Sequence, residues 1–172
     1  MTIAKNTSPT HIVHRLAQCF YEVVPSHYKT YCSFTSKITQ IALTQLGIDC
    51  HQLPCQIWYS EPGHHYVVGF LGPNNPHHNP AKWDGHVVCC TETLLVDTAT
   101  HHFQREFKLS APDVAVASLF GISSTALAQL RLTETDALWW HEPPVNVDTR
   151  LPEEPLELAQ QYAQALIARL KL

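Results

Sequence analysis

The spacing of apolar residues changes from helical to alternating near residue 50, and that change limits the fold more than any other feature. Residues 9 to 24, PTHIVHRLAQCFYEVV, set Ile12, Leu16, Cys19, Phe20 and Val23 on one helical face, with Pro9 suited to a first turn and Pro25 ending the pattern. After the loop PSHYKTY, Phe34, Ile38, Ile41, Ala42 and Leu46 recur at helical spacing up to Gly47, followed by Ile48. The second helix therefore starts near Cys32. From LPCQIWYS onward the period is two, which predicts strands at 54–60 and 65–71 around the turn EPGH.

Residues 72–84, GPNNPHHNPAKWD, read as an exposed loop leading to a cleft mouth. HVVCC and LLVDTA follow as two short strands. DVAVASLF resembles another, SSTALAQLRL fits helix or strand, and ALWWHEPP reads as a strand stopped by Pro143. A final helix carries Leu158, Tyr162, Leu166 and Leu170 beside Ala159, Ala163 and Ile167. No repeat or composition shift marks a second domain. The expected fold is one α+β domain over residues 1–172, with N-terminal helices packed on an antiparallel β-sheet. At this length, folding buries about 70% of the surface of the extended chain.

The net charge of −4, with eleven Lys and Arg scattered along the chain, gives no footprint for nucleic acid. No apolar run approaches the roughly 18 residues of a membrane span, and MTIAKNTSPT lacks the apolar core of a signal peptide. The expected compartment is the cytoplasm, where six cysteines without a C-x-x-C are reduced thiols rather than a disulfide framework. Cys89 and Cys90, adjacent on a strand, point to opposite faces.

Three residues draw chemistry together. If HVVCCTETLLVD is a hairpin with a two- or four-residue loop around Thr91–Glu92, His86 falls directly opposite Asp97, with Cβ atoms about 4.5–5.5 Å apart. A three-residue loop moves the partner to Thr98. Asp97 follows the apolar run LLV, and a buried carboxylate needs a partner. His86 supplies it, leaving its second ring nitrogen for a thiol. Cys32 fits that place because the first turn of a helix and a neighbouring imidazolium both favour a thiolate. Trp83 beside His86, and Tyr31 beside Cys32, are candidate substrate contacts.

A cysteine in YCSFTSKITQIALTQLGI opening a helix, then the strand LPCQIWYS, then WDGHVV and LLVDTAT in that order, resembles the transglutaminase-like superfamily of papain-type folds over about residues 30–100. That group includes arylamine N-acetyltransferases and peptide N-glycanases. The resemblance implies Cys32 as nucleophile, His86 as base and acid, and Asp97 as the group that orients it, acting without a cofactor on a small-molecule or peptide amide or ester. The gap from His86 to Asp97 is shorter than in many such enzymes, and the proline-rich loop is an addition. Cell-wall peptidases of the NlpC/P60 type share the spacing, but CQIWYS after the second helix matches them less well.

Two other classes compete. A non-catalytic interaction protein could keep such a fold, and a buried Cys32 would favour it. A metal-binding module is suggested by His64–His65, His77–His78 and His101–His102 near Cys50, His51 and Cys55, yet these spacings match no familiar zinc pattern, and solvated loop histidines explain the pairs better. Trp139–Trp140 reads as one core and one surface indole.

Overall fold

The computed structural model describes residues 8–72, 74–75, 83–121 and 125–170. Helix α1 (Pro9–Val23) starts where the Ser8 hydroxyl accepts the His11 N–H at 3.3 Å and where proline needs no amide hydrogen. Its buried stripe is Ile12, Leu16, Cys19 and Phe20. A 3-10 turn, Ser26–Tyr28, leads to α2 (Cys32–Gln45). That helix stops in a Schellman motif: Gly47 takes φ +78°, its N–H reaches the Thr44 carbonyl, and Ile48 N–H reaches that of Leu43.

Seven strands follow among the described residues: β1 (His51–Glu61), β2 (His64–Val68), β3 (His86–Cys90), β4 (Leu94–Asp97), β5 (Ala115–Ser118), β6 (Ala126–Arg131) and β7 (Ala137–His141). Helix α3 (His101–Phe107) interrupts them and α4 (Leu156–Leu170) comes last. The sheet is antiparallel throughout, in the order β5-β4-β3-β1-β7-β6, with β2 also on β1. A bridge from Leu119 to Ala128, with Phe120 N–H on the Leu127 carbonyl at 2.8 Å, brings the ends of the sheet together into a nearly closed barrel. The α+β class and the antiparallel sheet agree with the sequence.

Alternation on β3 divides the interior in two. Val88 and Cys90 join Ile57, Leu95, Leu138 and Trp140 inside the barrel, whereas Cys89 joins Phe20, Phe34, Leu43 and Leu166 beneath α1, α2 and α4. Both thiols are buried, on opposite faces.

Several local expectations need correcting. Strand β1 begins at His51 and β2 ends at Val68 rather than residue 71, because Gly69 (φ +87°) and Phe70 (φ +50°) turn the chain off the sheet. There β3 takes over the same edge of β1, and a Cβ on Gly69 would stand 2.7 Å from the His86 nitrogen. His101 and His102, read as solvated loop residues, open α3, a helix of 7 residues that is too short to show a period and buries only Phe103. SSTALAQLRL resolves to strand β6. Residues 73 and 76–82 of the proline-rich loop, including His77–His78, lie outside the described residues.

The β3–β4 hairpin turns one residue later than expected. Cys89 pairs with Val96 and Cys90 with Leu95, so His86 is not directly opposite Asp97. The Thr91 hydroxyl makes the turn, accepting the N–H groups of Thr93 at 3.4 Å and Leu94 at 3.0 Å, while Thr91 N–H meets the Leu94 carbonyl at 2.8 Å. A register shift of two residues keeps each side chain on its own face. His86 and Asp97 therefore remain diagonal neighbours inside the barrel.

Candidate active site

His86 and Asp97 are both 0% exposed, and His86 Nε2 donates to Asp97 Oδ2 at 2.7 Å. The same oxygen accepts the Trp140 indole N–H at 2.8 Å, and Oδ1 accepts the Ala99 N–H at 2.9 Å. A buried carboxylate is costly unless its lone pairs are filled, and here three donors fill them. Burial alone would raise the Asp97 pKa, but the charge and hydrogen bond of His86, with Trp140 and Ala99, bring it below the usual carboxylate range. Burial likewise works against charge on His86, and Asp97 overrides it, helped by Cys32, so that the imidazole is pushed up to about 10. The two groups form an imidazolium–carboxylate pair across the neutral range.

Cys32 is the first residue of α2, beside Val87, Ala99 and Trp83. Its thiol points to the Gly85 carbonyl at 3.7 Å, and His86 Nδ1 has no hydrogen-bond partner among the described residues. The helix start is held from several sides. Gln52 on β1 donates to the Ser33 carbonyl at 3.0 Å and to the Ser36 hydroxyl at 2.7 Å. The Thr98 hydroxyl donates to that of Thr35 at 2.8 Å, and the Tyr21 hydroxyl donates to the Thr98 carbonyl. The Ser33 hydroxyl meets Glu154 in the segment before α4. Thr98, the neighbour of Asp97, is thus tied to the helix that carries Cys32. Tyr31, the N-cap residue, offers no side-chain cap, which leaves the first N–H groups of α2 available to a ligand.

Cys32 and Tyr31 border a cleft of about 520 Å³ that Leu71, Trp83, His102 and Arg105 also line, whereas His86 and Asp97 are buried and not part of its lining. Tyr31 is 58% exposed at its rim. Trp83 packs edge-on against Phe70, and its buried indole N–H has no partner among the described residues. The ring leaves no room for a side chain at residue 85, where a Cβ would lie 2.3 Å from it. Hence the Trp83 ring can lie over residue 85 of WDGH only because that residue is glycine. All five residues singled out in the sequence, Cys32, His86, Asp97, Trp83 and Tyr31, converge on this region.

Cys32 is only 8% exposed, the same as Cys19 and Cys50. Burial pushes up the thiols of Cys19, Cys55 and Cys90, the last to about 12. A hydrogen bond from Cys89 holds Cys50 down, to about 7, and raises Cys89 in return.

Two participants were not foreseen. Trp140, the core member of the Trp139–Trp140 pair, also donates to Asp97 from 43 positions away, a link no local pattern reveals. His102, on α3, donates from Nε2 to the Thr30 carbonyl at 3.1 Å and stacks edge-on to His86, centroids 6.3 Å apart. Its place five residues beyond the orienting carboxylate was the available signal. Among the described residues, no three His, Cys, Asp or Glu side chains are grouped to hold a metal ion, and no helix is long and apolar enough to cross a membrane. No family model, curated protein or solved structure matches the chain.

Proposed function

We propose that this chain is a cysteine-dependent acyl-transfer enzyme with a transglutaminase-like, papain-type arrangement, acting on an amide or ester through Cys32, His86 and Asp97. The observation that carries this reading is the one-sided ligation of His86: Nε2 is locked on Asp97 while Nδ1 is unfilled beside a thiol at a helix start. A histidine serving only to neutralise a buried carboxylate has no need of a neighbouring thiol or a cleft.

In this mechanism the Cys32 proton already resides on Nδ1 of the His86 imidazolium, and the sulfur attacks the carbonyl carbon as the thiolate, forming the C–S bond. The oxyanion takes the free N–H groups at the start of α2 and the indole N–H of Trp83. The C–N or C–O bond then breaks as His86 protonates the leaving group. Water or an amine resolves the thioester, returning a proton to the Cys32–His86 pair. Asp97 keeps the ring in the tautomer that presents Nδ1.

Intact-protein mass spectrometry after mixing with p-nitrophenyl acetate tests the proposal. An acetyl group on Cys32, absent in Cys32→Ala and in His86→Ala, is expected; modification spread evenly over the thiols removes the enzyme reading. The low exposure of Cys32 favours a second reading, a non-catalytic interaction protein that keeps the fold. In that case Cys32 acquires no acetyl group.

A further inference from the structure

His102 lines the cleft edge-on to the buried His86, and the Cys32–His86–Asp97 chemistry does not use its imidazole. His102 Nε2 faces the Thr30 carbonyl at 3.1 Å, and a carbonyl oxygen can only accept, so Nε2 bears the hydrogen and Nδ1 is left with a lone pair. No hydrogen bond to Nδ1 is found among the described residues. The ring lines the cleft and stands at 76° to the His86 ring, with 6.3 Å between centroids. That separation suits one oxygen or nitrogen atom hydrogen-bonded to both rings at about 2.8 Å each. Burial first, then the charges of His86 and Arg105, lower the pKa of His102 to about 4 against the opposing pull of Asp97 and the Thr30 carbonyl. At neutral pH it is an uncharged acceptor beside a charged imidazole.

We propose that His102 accepts a hydrogen bond from the water or primary amine that resolves the Cys32 thioester, holding the second hydrogen of the attacking atom while His86 takes the first. The proposal rests on the acyl-enzyme reading above. In this step the attacking oxygen or nitrogen bonds to the acyl carbon, the C–S bond breaks, and its electron pair returns to sulfur. The proton removed by His86 restores the thiol–imidazole pair, and His102 neither gains nor loses one. The acceptor class follows: two hydrogens on the attacking atom are needed, so water and primary amines serve, whereas alcohols and secondary amines do not.

The test uses the full chain and p-nitrophenyl acetate. The burst of p-nitrophenolate reads acylation, the later steady rate reads deacylation, and intact mass locates the acetyl group. His102→Gln can place an amide nitrogen where Nε2 donates to Thr30 but offers no acceptor at Nδ1; His102→Asn places an oxygen near Nδ1 but falls short of Thr30. The Gln variant should keep the burst and deacylate roughly tenfold more slowly, as expected for one lost hydrogen bond, with acetyl-Cys32 accumulating. The Asn variant should recover most of the deacylation rate. On the wild type, methylamine should speed turnover and dimethylamine, of similar basicity, should not. Normal deacylation in the Gln variant, or equal acceleration by both amines, overturns the role of His102 while leaving the acyl-enzyme intact. Absence of acetyl-Cys32 in the wild type overturns the parent reading as well.

Discussion

The two sides of His86 are built by opposite rules. On the barrel side every polar atom is matched: Asp97 takes N–H groups from His86, Trp140 and Ala99, and neither His86 nor Asp97 meets solvent. On the cleft side the valences are open: His86 Nδ1 and the Trp83 indole N–H lack partners among the described residues, and α2 begins without a side-chain cap. Buried unmatched polar atoms are uncommon because each costs about 1–3 kcal/mol. Two of the three such atoms among the described residues, His86 Nδ1 and the Trp83 N–H, lie around one thiol next to a fully satisfied ion pair, which supports the proposed binding of a transient ligand there.

The largest test of this contrast lies on the closed side. Asp97→Asn preserves size but removes the charge, and an amide can hold the ring in the wrong tautomer. Turnover of p-nitrophenyl acetate should fall by about 10³–10⁴-fold in protein that still folds. The same variant should change how stability depends on pH. In the wild type, His86 has a higher pKa folded than unfolded, so the folded state holds more protons between about 6.5 and about 10. Its contribution is complete below about 6.5 and is lost as pH rises through that window. Asp97, with a lowered folded pKa, contributes above the ordinary carboxylate range and loses its contribution as pH falls. Urea midpoints measured from pH 6 to 10 should decline in the wild type and stay flatter in Asp97→Asn. Equal slopes would show that the pair is not coupled as its geometry indicates.

On the open side, Trp83→Phe keeps an aromatic ring against Phe70 but removes the unpartnered N–H together with part of the bicyclic ring. Loss of one oxyanion donor typically costs about 10²-fold or more in rate. The acylation burst should slow by that order, a loss larger than the accompanying fall in the urea midpoint accounts for. A stability loss without a rate loss would identify the indole N–H as structural.

Trp140→Phe makes the complementary deletion on the closed side, removing one of two donors to Asp97 Oδ2. The expected cost is at least the about 1.5–3 kcal/mol of a hydrogen bond to a charged group, with more from the cavity left by the smaller ring at this fully buried position, and a smaller effect on rate. If Trp83→Phe and Trp140→Phe show the same balance of rate and stability, the distinction between the two sides fails.

What the sequence revealed of this arrangement depended on apolar patterning. Helices α1 and α2 were legible because their apolar residues repeat at 3.6, and the strands around HVVCC and LLVD because they are short continuous apolar runs, buried on both faces. The His86–Asp97 contact survived an error in the turn because a two-residue shift preserves parity. Turn chemistry itself was obscured: the side chain of Thr91, not a glycine, closes the hairpin. ALAQLR is made of strong helix formers, so its strand state is imposed by pairing with β7, and α3 is set by tertiary contacts of Phe103 rather than by a pattern. The partners of His86 beyond Asp97 come from elements that meet only in the folded barrel.

The smallest expected effect is also the best controlled. Cys19, Cys32 and Cys50 are each 8% exposed, so their alkylation rates compare chemical environment at matched burial. Cys19 lies among helical side chains, its pKa raised by burial and by Glu22. Cys50 is favoured by its hydrogen bond from Cys89 but has no imidazole partner. Cys32 has His86 beside it and a cleft in front of it. Iodoacetamide near neutral pH, followed by peptide mass spectrometry, should label Cys32 several-fold faster than Cys50, and Cys50 faster than Cys19, because alkylation requires the thiolate and access to it. His86→Ala should erase the advantage of Cys32 and leave the order of the other two unchanged. If Cys50 leads in the wild type, or if His86→Ala slows all three alike, the open side of the site is packing with incomplete hydrogen bonds, and the chemical contrast across His86 disappears.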